Sequence, residues 1–468
     1  MNGLFQRDFF LPQNSPSPAL LPEGASLRTC RILLFLVLIS FFLKLLYLIP
    51  GISDPAIYLR VDSPSYLNPA KSILYDFTYS TNAGSNIPAL HRTPVYPLFL
   101  AFSLGISKGS LLFCAVFSAV ISSLTLIPLY LSARMFLKEK YAVIAASLYL
   151  LHPTVFAIFP LIISDTLFVF FTSFTMYFFL SFLQKRFLYL LLVCAGTASL
   201  AVLTRPLMLF WCFPAIFVLF FLPAFPVKKK IFHSLLFLLI FALLPTFWII
   251  RNHHYGAGWR IDIVSADTAK HNVSTFESRR NNIPAAVLRE QYDKEAEETF
   301  RKDPEKYASY SSRLSFHEER LAKTMKKYPF SYFALHFRPV VLIPDGASFF
   351  ENLRLTTSGR NTFDVINRKG IIAGICHYFK GKLFLPFLAS PLFLLAGTIL
   401  LSAAAGIVIA LWKKCFFTIL LFLLFCEYFL FMTGPVAMPR YQLPALPFLC
   451  ILASGTFQFC GKFFRKKA

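Results

Sequence analysis

Charge is scarce in this chain, and negative charge is scarcer still. Only 15% of the 468 residues are charged, 46 Lys and Arg against 23 Asp and Glu, whereas 56% are hydrophobic and 17% aromatic. A soluble core of this size needs far less apolar surface, and a mean hydropathy of +0.61 makes the bilayer the natural solvent. The net charge of +23 would point to nucleic acid in a soluble protein, but here its placement argues otherwise and no nucleic-acid partner is expected. The nine cysteines build no framework. There is no CxxC pair and no Cys/His metal spacing, and all but Cys376 lie in or beside apolar runs, as small buried side chains do. No DxD motif is present, so metal dependence is not implied and no cofactor is expected. The first 30 residues lack a compact signal peptide with a small-residue cleavage site and read as a cytoplasmic tail.

What is abundant is long apolar sequence. Runs at roughly 31–50, 110–133, 141–160, 166–183, 187–203, 207–225, 231–250, 384–411, 415–432 and 443–460 give about ten crossings at about 20 residues each. Alternate connections are rich in Lys and Arg: RMFLKEK (134–140), FLQKRF (182–187), PVKKK (226–230), WKKC (412–415) and the terminal GKFFRKKA (461–468). By the positive-inside rule that face is cytoplasmic, and both termini fall on it. The reading is an all-α polytopic membrane protein, integral to what would be a bacterial inner membrane. It divides into a tail (1–30), seven helices with a first outer loop at 51–109 (31–250), an outer cap (251–383), three helices (384–460) and a basic tail (461–468). Within the first loop, TPVYPLFLAFSLGI (93–106) is too short to cross and is expected as a half-helix. The cap holds 15 of the 23 acids, and its stretch 284–328 is charged and helix-forming, with Pro304 interrupting it.

The remaining charges near the apolar runs each need a reason, because an unpaired charge close to hydrocarbon is costly. Asp62, Arg92, Asp165, Arg205, Arg251, Asn252, Arg440 and Tyr441 all fall at the outer level, so a bundle would bring two acids and four arginines toward one pocket. Each also has a bland reading. Asp62 suits an Asx-turn before Ser63-Pro64, and Asp165 suits a helix cap. Arg92 and Arg440 suit snorkelling to lipid phosphates, and Arg251 suits a helix-end anchor. Glu427 lies inside the run 415–432, as a partner for an arginine or part of an ion path. His253 and His254 read as interfacial residues.

Two acids and a cationic cradle on the outer face fit one chemistry well. A sugar on a polyprenyl phosphate is an activated donor that reaches that face through the membrane. Its phosphate departs without a general acid but gains from arginine, whereas the acceptor hydroxyl needs a base. The motifs then show a likeness. DSPSYLNPAKSIL (62–74) and HRTPVYPLFLAF (91–102), followed in order by FPLIISDTLF, LTRP, WIIRNHHYG and RYQLPALP, resemble glycosyltransferase family 39, the dolichyl-phosphate-mannose protein mannosyltransferase-like enzymes. The resemblance implies the type C glycosyltransferase architecture, an outer-side site, a polyprenyl-phosphate sugar donor and an extracytoplasmic acceptor such as lipid A, a cell-envelope glycan or a protein. It implies that Asp62 is the catalytic acid of the first loop and that Asp165 is the second acidic position. Arg92, Arg205, Arg251, Asn252 and Arg440 would then hold the donor phosphate, with Tyr66 and Tyr441 lining the sugar pocket. The protein mannosyltransferases carry an adjacent acidic pair where this chain has Asp62-Ser63, so protein O-mannosylation is not favoured over other acceptors. The rival reading is a carrier or flippase for a lipid-linked or anionic substrate, with Glu427 as the coupling group.

Overall fold

A computed structural model describes residues 27–221, 225–356, 362–382 and 384–465. Most of the expected N-terminal tail (1–26) and the end of the basic tail (466–468) lie outside the described residues. The described residues are helical apart from turns, loops and one isolated antiparallel bridge between Ser80 and Pro88. Hydrocarbon offers the backbone no hydrogen-bond partners, so the helix, which satisfies its own, is the form these apolar runs adopt. The chain is a polytopic membrane protein. Among the described residues, five helices are long and apolar enough to cross a bilayer: Leu27–Gly51, Leu111–Arg134, Asp165–Lys185, Val227–His254 and Phe387–Trp412. Shorter apolar helices pack among them, including Val95–Ile106, Leu188–Thr204 and Leu446–Gly461.

The interior is an apolar core, with large side chains such as Trp211, Phe168 and Phe179 fully buried, and the outer surface of the bundle is apolar as well. Small residues line the helix contacts, such as Ala195, Ala198 and Ala201 on Leu188–Thr204 and Ala115, Ala119 and Ser123 on Leu111–Leu124, all buried. They let backbones approach closely where no hydrophobic drive between helices exists. Large side chains such as Phe213, Phe217, Leu239, Phe247, Leu394 and Leu401 point outward, toward where lipid would lie.

Three of the expected uninterrupted crossings are broken helices. The run 141–160 splits at Leu151–His152, because Pro153 starts a new helix, Pro153–Ile158, and the His152 ring Nδ1 caps it by accepting from the Thr154 N–H at 3.2 Å. The run 207–225 begins as a 3-10 turn, Pro206–Trp211, before the helix Cys212–Phe221. The run 415–432 carries a π-helical turn at Leu423–Glu427, and the buried Trp211 indole N–H donates to the Leu424 carbonyl there at 3.2 Å. The last helix continues to Arg465, so the expected tail begins as helix.

Among the described residues of the expected cap, the three longest helices are Val264–Asn281, Ala285–Lys302 and Tyr310–Lys327, with Pro304 in the gap between the second and third; shorter helices, among them Pro329–Ala334, Gly346–Asn352, Thr362–Lys369 and Ile371–Tyr378, follow them. A small core of Val273, Leu288 and Tyr292 joins the three. The first cap helix docks on the bundle where Gly434, at φ +71°, leaves room for Asn272. A β-carbon at Gly434 would lie 3.1 Å from the Asn272 amide nitrogen.

Candidate active site

The first loop leaves the opening helix through two 3-10 turns, Ile49–Gly51 and Pro55–Tyr58, and re-enters helix at Pro64. Asp62 lies in the turn just before. Its carboxylate makes neither an Asx-turn nor a cap. Oδ1 accepts from Arg92 Nη2 at 3.0 Å, and Oδ2 accepts from Arg440 Nη2 at 3.2 Å. The carboxylate is 39% exposed and each guanidinium 19%, so a half-open acid sits between two largely covered cations. Burial pushes the Asp62 carboxyl up, but Arg92 and Arg440 outweigh it and hold the group below its ordinary range. Burial likewise opposes charge on Arg440, and Asp165, Tyr441 and Asp62 together more than reverse that.

Prolines aim the arginines. Arg205 ends the helix Leu188–Thr204 in extended backbone, φ −148° and ψ 124°, as a residue before proline prefers, and there its guanidinium pairs with Asp165. Arg440 sits in the 3-10 turn opened by Pro439, and Arg92 lies two residues before Pro94. Asp165 starts the helix Asp165–Lys185, but its carboxylate takes Arg205 in place of a cap bond. The two tyrosines fill the space between. The Tyr66 ring lies 4.5 Å from the Arg92 guanidinium, and its hydroxyl is 3.1 Å from Ser164 Oγ. The Tyr441 ring is flanked by Arg205 at 5.9 Å and Arg440 at 5.6 Å.

A clasp that sequence reading passed over ties the two acidic segments together. Ser63 Oγ donates to the Ile162 carbonyl at 2.8 Å, and the Ile162 N–H donates to the Tyr58 carbonyl at 3.0 Å. Ser65 adds a further hold by accepting from Arg92 Nε at 2.8 Å. These serines look like loop filler in sequence and gain meaning only from their distant partners.

Other expected site residues are placed differently. Arg251 donates to the Ala89 and Tyr79 carbonyls at 2.7 and 3.1 Å and to the Asn252 side chain, and it is ringed by Trp248, Tyr79 and Tyr255. Buried Asn252 donates to the Arg260 and Ile261 carbonyls. None of these bonds reaches the Asp62–Asp165 cluster; the pair fastens the first loop to the root of the cap. Glu427, at the end of the π turn, makes no hydrogen bond or ion pair among the described residues, so it partners none of the arginines. His253 stacks on Trp259 with ring centroids 4.2 Å apart. No group of three or more His, Cys, Asp or Glu side chains is arranged to hold a metal among the described residues. One charge escaped sequence reading altogether. Lys44, 1% exposed inside the first helix, donates to Ser40 Oγ at 2.7 Å and Ser123 Oγ at 3.3 Å, and a lone lysine in FFLKLLY was its available signal.

No curated protein matches this chain. Among solved structures, it is similar to the archaeal oligosaccharyltransferase AglB from Archaeoglobus fulgidus, in complex with an inhibitory peptide and a dolichol-phosphate. That match has 14% identity and a TM-score of 0.45 and covers 91% of this chain and 50% of that one. The chain thus spans about half the length of AglB. It is also similar to ArnT from Cupriavidus metallidurans bound to undecaprenyl phosphate, at 13% identity and a TM-score of 0.41, covering 92% of this chain and 77% of that one. Residues 91–250, the segment that carries Arg92, Asp165 and Arg205, match the family described as dolichyl-phosphate-mannose-protein mannosyltransferase.

Proposed function

We propose that this protein is a membrane glycosyltransferase that moves a sugar from a polyprenyl-phosphate donor to an acceptor on the extracytoplasmic face. The supporting observation is the Asp62 carboxylate held between Arg92 and Arg440, with the Asp165–Arg205 pair beside it. The family matched by residues 91–250 and the lipid phosphates carried by AglB and ArnT agree with a donor of this class. Asp62, kept ionised by its arginines, orients the acceptor hydroxyl and takes its proton as the oxygen attacks the anomeric carbon. As the glycosidic bond breaks, the leaving phosphate keeps the bonding electron pair, and the arginines stabilise the negative charge it gains. Arg440 is suited to this, since its Nε is buried without a hydrogen-bond partner among the described residues. A phosphate that draws Arg92 or Arg440 away from Asp62 also restores basicity to that carboxylate, so donor binding would switch on the base. Asp165 sustains Arg205 in the same cradle. The Lys/Arg-rich connections support an orientation with this site outside and the termini inside.

The deciding experiment follows labelled sugar from a panel of polyprenyl-phosphate donors into envelope lipids, glycans and proteins, in membranes carrying the intact chain or Asp62→Asn. Transfer by the intact chain and a loss of at least about 100-fold in the normally expressed variant is expected. If no donor is consumed while the protein still binds a lipid phosphate, a carrier replaces the enzyme. Unpaired Glu427 in a π turn is the one observation that favours that second reading.

A further inference from the structure

The cap holds a cavity of about 650 Å³ between its three longest helices, away from the Asp62 cluster. That volume suits a ligand of one or two sugar rings. Its walls are charged in a sorted way. Arg280, Lys306, Arg320, Lys323 and Lys327 line it, against two acids, Glu277 and Glu319. The second cap helix carries five acids, Glu290, Asp293, Glu295, Glu297 and Glu298, yet its one lining residue is Thr299. The cavity is therefore cationic in the part of the chain richest in acid.

Part of this has a bland account. Arg280 and Lys327 stand in the last turns of their helices, where the carbonyl ends attract cations. Arg320 pairs with Glu295. Lys306 and Lys323 are exposed surface lysines, and Lys306 Nζ lies 5.2 Å from the Tyr307 ring centroid; neither ammonium makes an ion pair or hydrogen bond among the described residues, so both are free to meet an anion in the cavity. Arg280 and Lys327 also lie by the face of the neighbouring Tyr328 ring, 3.8 and 5.3 Å from its centroid. Aromatic faces complete the wall. Half-buried Phe316 offers ring surface of the kind that packs on the C–H face of a sugar, with buried Tyr307 packed behind it and against Phe300, and Asn281 and Thr299 offer hydrogen bonds to hydroxyls.

We propose that this cap cavity binds a phosphate-bearing saccharide, the headgroup of the acceptor. Cations with aromatic faces and amide and hydroxyl groups recognise a phosphorylated sugar better than either phosphate or sugar alone. Binding itself stands apart from the transferase reading; only the identification of the ligand as acceptor rests on it.

The test uses the full chain in lipid nanodiscs and titration calorimetry with glucose 1-phosphate, glucose and inorganic phosphate. In phosphatidylcholine discs the sugar phosphate is expected to bind at least about tenfold tighter than either fragment. Lys323→Glu should weaken it about tenfold or more, while Lys326→Glu, the same charge change on the same helix outside the cavity, should not. Asp62→Asn should leave binding unchanged, which separates this site from the proposed catalytic one. Absence of binding, equal affinity for phosphate alone, or equal loss in the two lysine variants would overturn the proposal. Loss of sugar-phosphate binding in discs that contain phosphatidylglycerol would assign the cavity to membrane phosphate and overturn it too. In the transfer assay, Lys323→Glu should raise the acceptor KM and spare kcat; failure of transfer in every variant would sink the transferase reading while calorimetry still decides the cavity.

Discussion

At the scale of the residue, this molecule handles two buried charges in opposite ways. Lys44 has no carboxylate partner and leans on two serines, which also bond each other, Ser123 Oγ to Ser40 Oγ at 3.1 Å. Removing the ammonium therefore strands nothing, and replacing a buried charge with an apolar chain of similar length is often neutral or stabilising. Lys44→Met is expected to keep or raise the melting temperature in detergent; a fall of more than about 4 °C would show that the lysine braces the helix pair. Asp262, 8% exposed at the root of the cap, is the reverse case: an acid whose burial pushes its carboxyl up to about 6 despite the Ser265 N–H that it accepts. Its folded pKa lies above the ordinary 3.8, so the stability tied to its proton is fully present below about 3.8 and is lost as pH rises through about 6. Asp262→Asn should accordingly melt higher than the parent at pH 7.5, with the difference vanishing toward pH 4. Thermal scans at both pH values check the sign.

At the scale of the element, short breaks decide where the functional groups point. Pro206 stops the helix Leu188–Thr204 and turns Arg205 toward Asp165. With Pro206→Ala the helix is free to run on and the guanidinium to swing off its acid. The expected result is a loss of sugar transfer on the order of 100-fold with little change in melting temperature, measured on the purified variant. Such breaks were only partly legible. TRP reads as a stop in sequence, and Asp62, Arg92, Asp165, Arg205 and Arg440 stood out as charges at the margins of apolar runs. Arg251 and Asn252 carried the same signal but serve the backbone, because their partners at Tyr79, Ala89, Arg260 and Ile261 are set by how loops fold together. The split at His152 had a signal in Pro153 that run-length reading passed over, whereas the π turn at Leu423–Glu427 has none in hydropathy, which is blind to backbone geometry.

At the scale of the whole molecule, the asymmetry of charge between the two ends of the bundle should govern its insertion. Val61, 99% exposed beside Asp62, and Lys138, exposed in the basic connection, mark the two ends. In a variant with the exposed Cys30 and Cys460 replaced by serine, Val61→Cys should react with an impermeant maleimide on intact cells, and Lys138→Cys only after permeabilisation. The opposite pattern would invert the topology and place the acids inside. The all-helical, membrane-embedded class was legible from hydropathy because run length and composition suffice for it. The cap was legible only as helices, since its docking rests on distant partners that sequence does not announce, such as Gly434 against Asn272 and the Ile263 N–H that donates to the Leu90 carbonyl.

The serine clasp between the first loop and the stretch before Asp165 has a mechanical consequence. Ser63, Tyr58 and Tyr66 bind the Ile162–Ser164 strap, so Asp62 and Asp165 ride on one mount, whereas Arg92, Arg205 and Arg440 arrive on three separate segments. If a lipid donor enters as proposed, the side-chain bonds of the arginines are the ones that must exchange, because the two acidic segments are also held backbone to backbone. The carboxylates would keep their spacing throughout the cycle, a fixed ruler against which the cations travel.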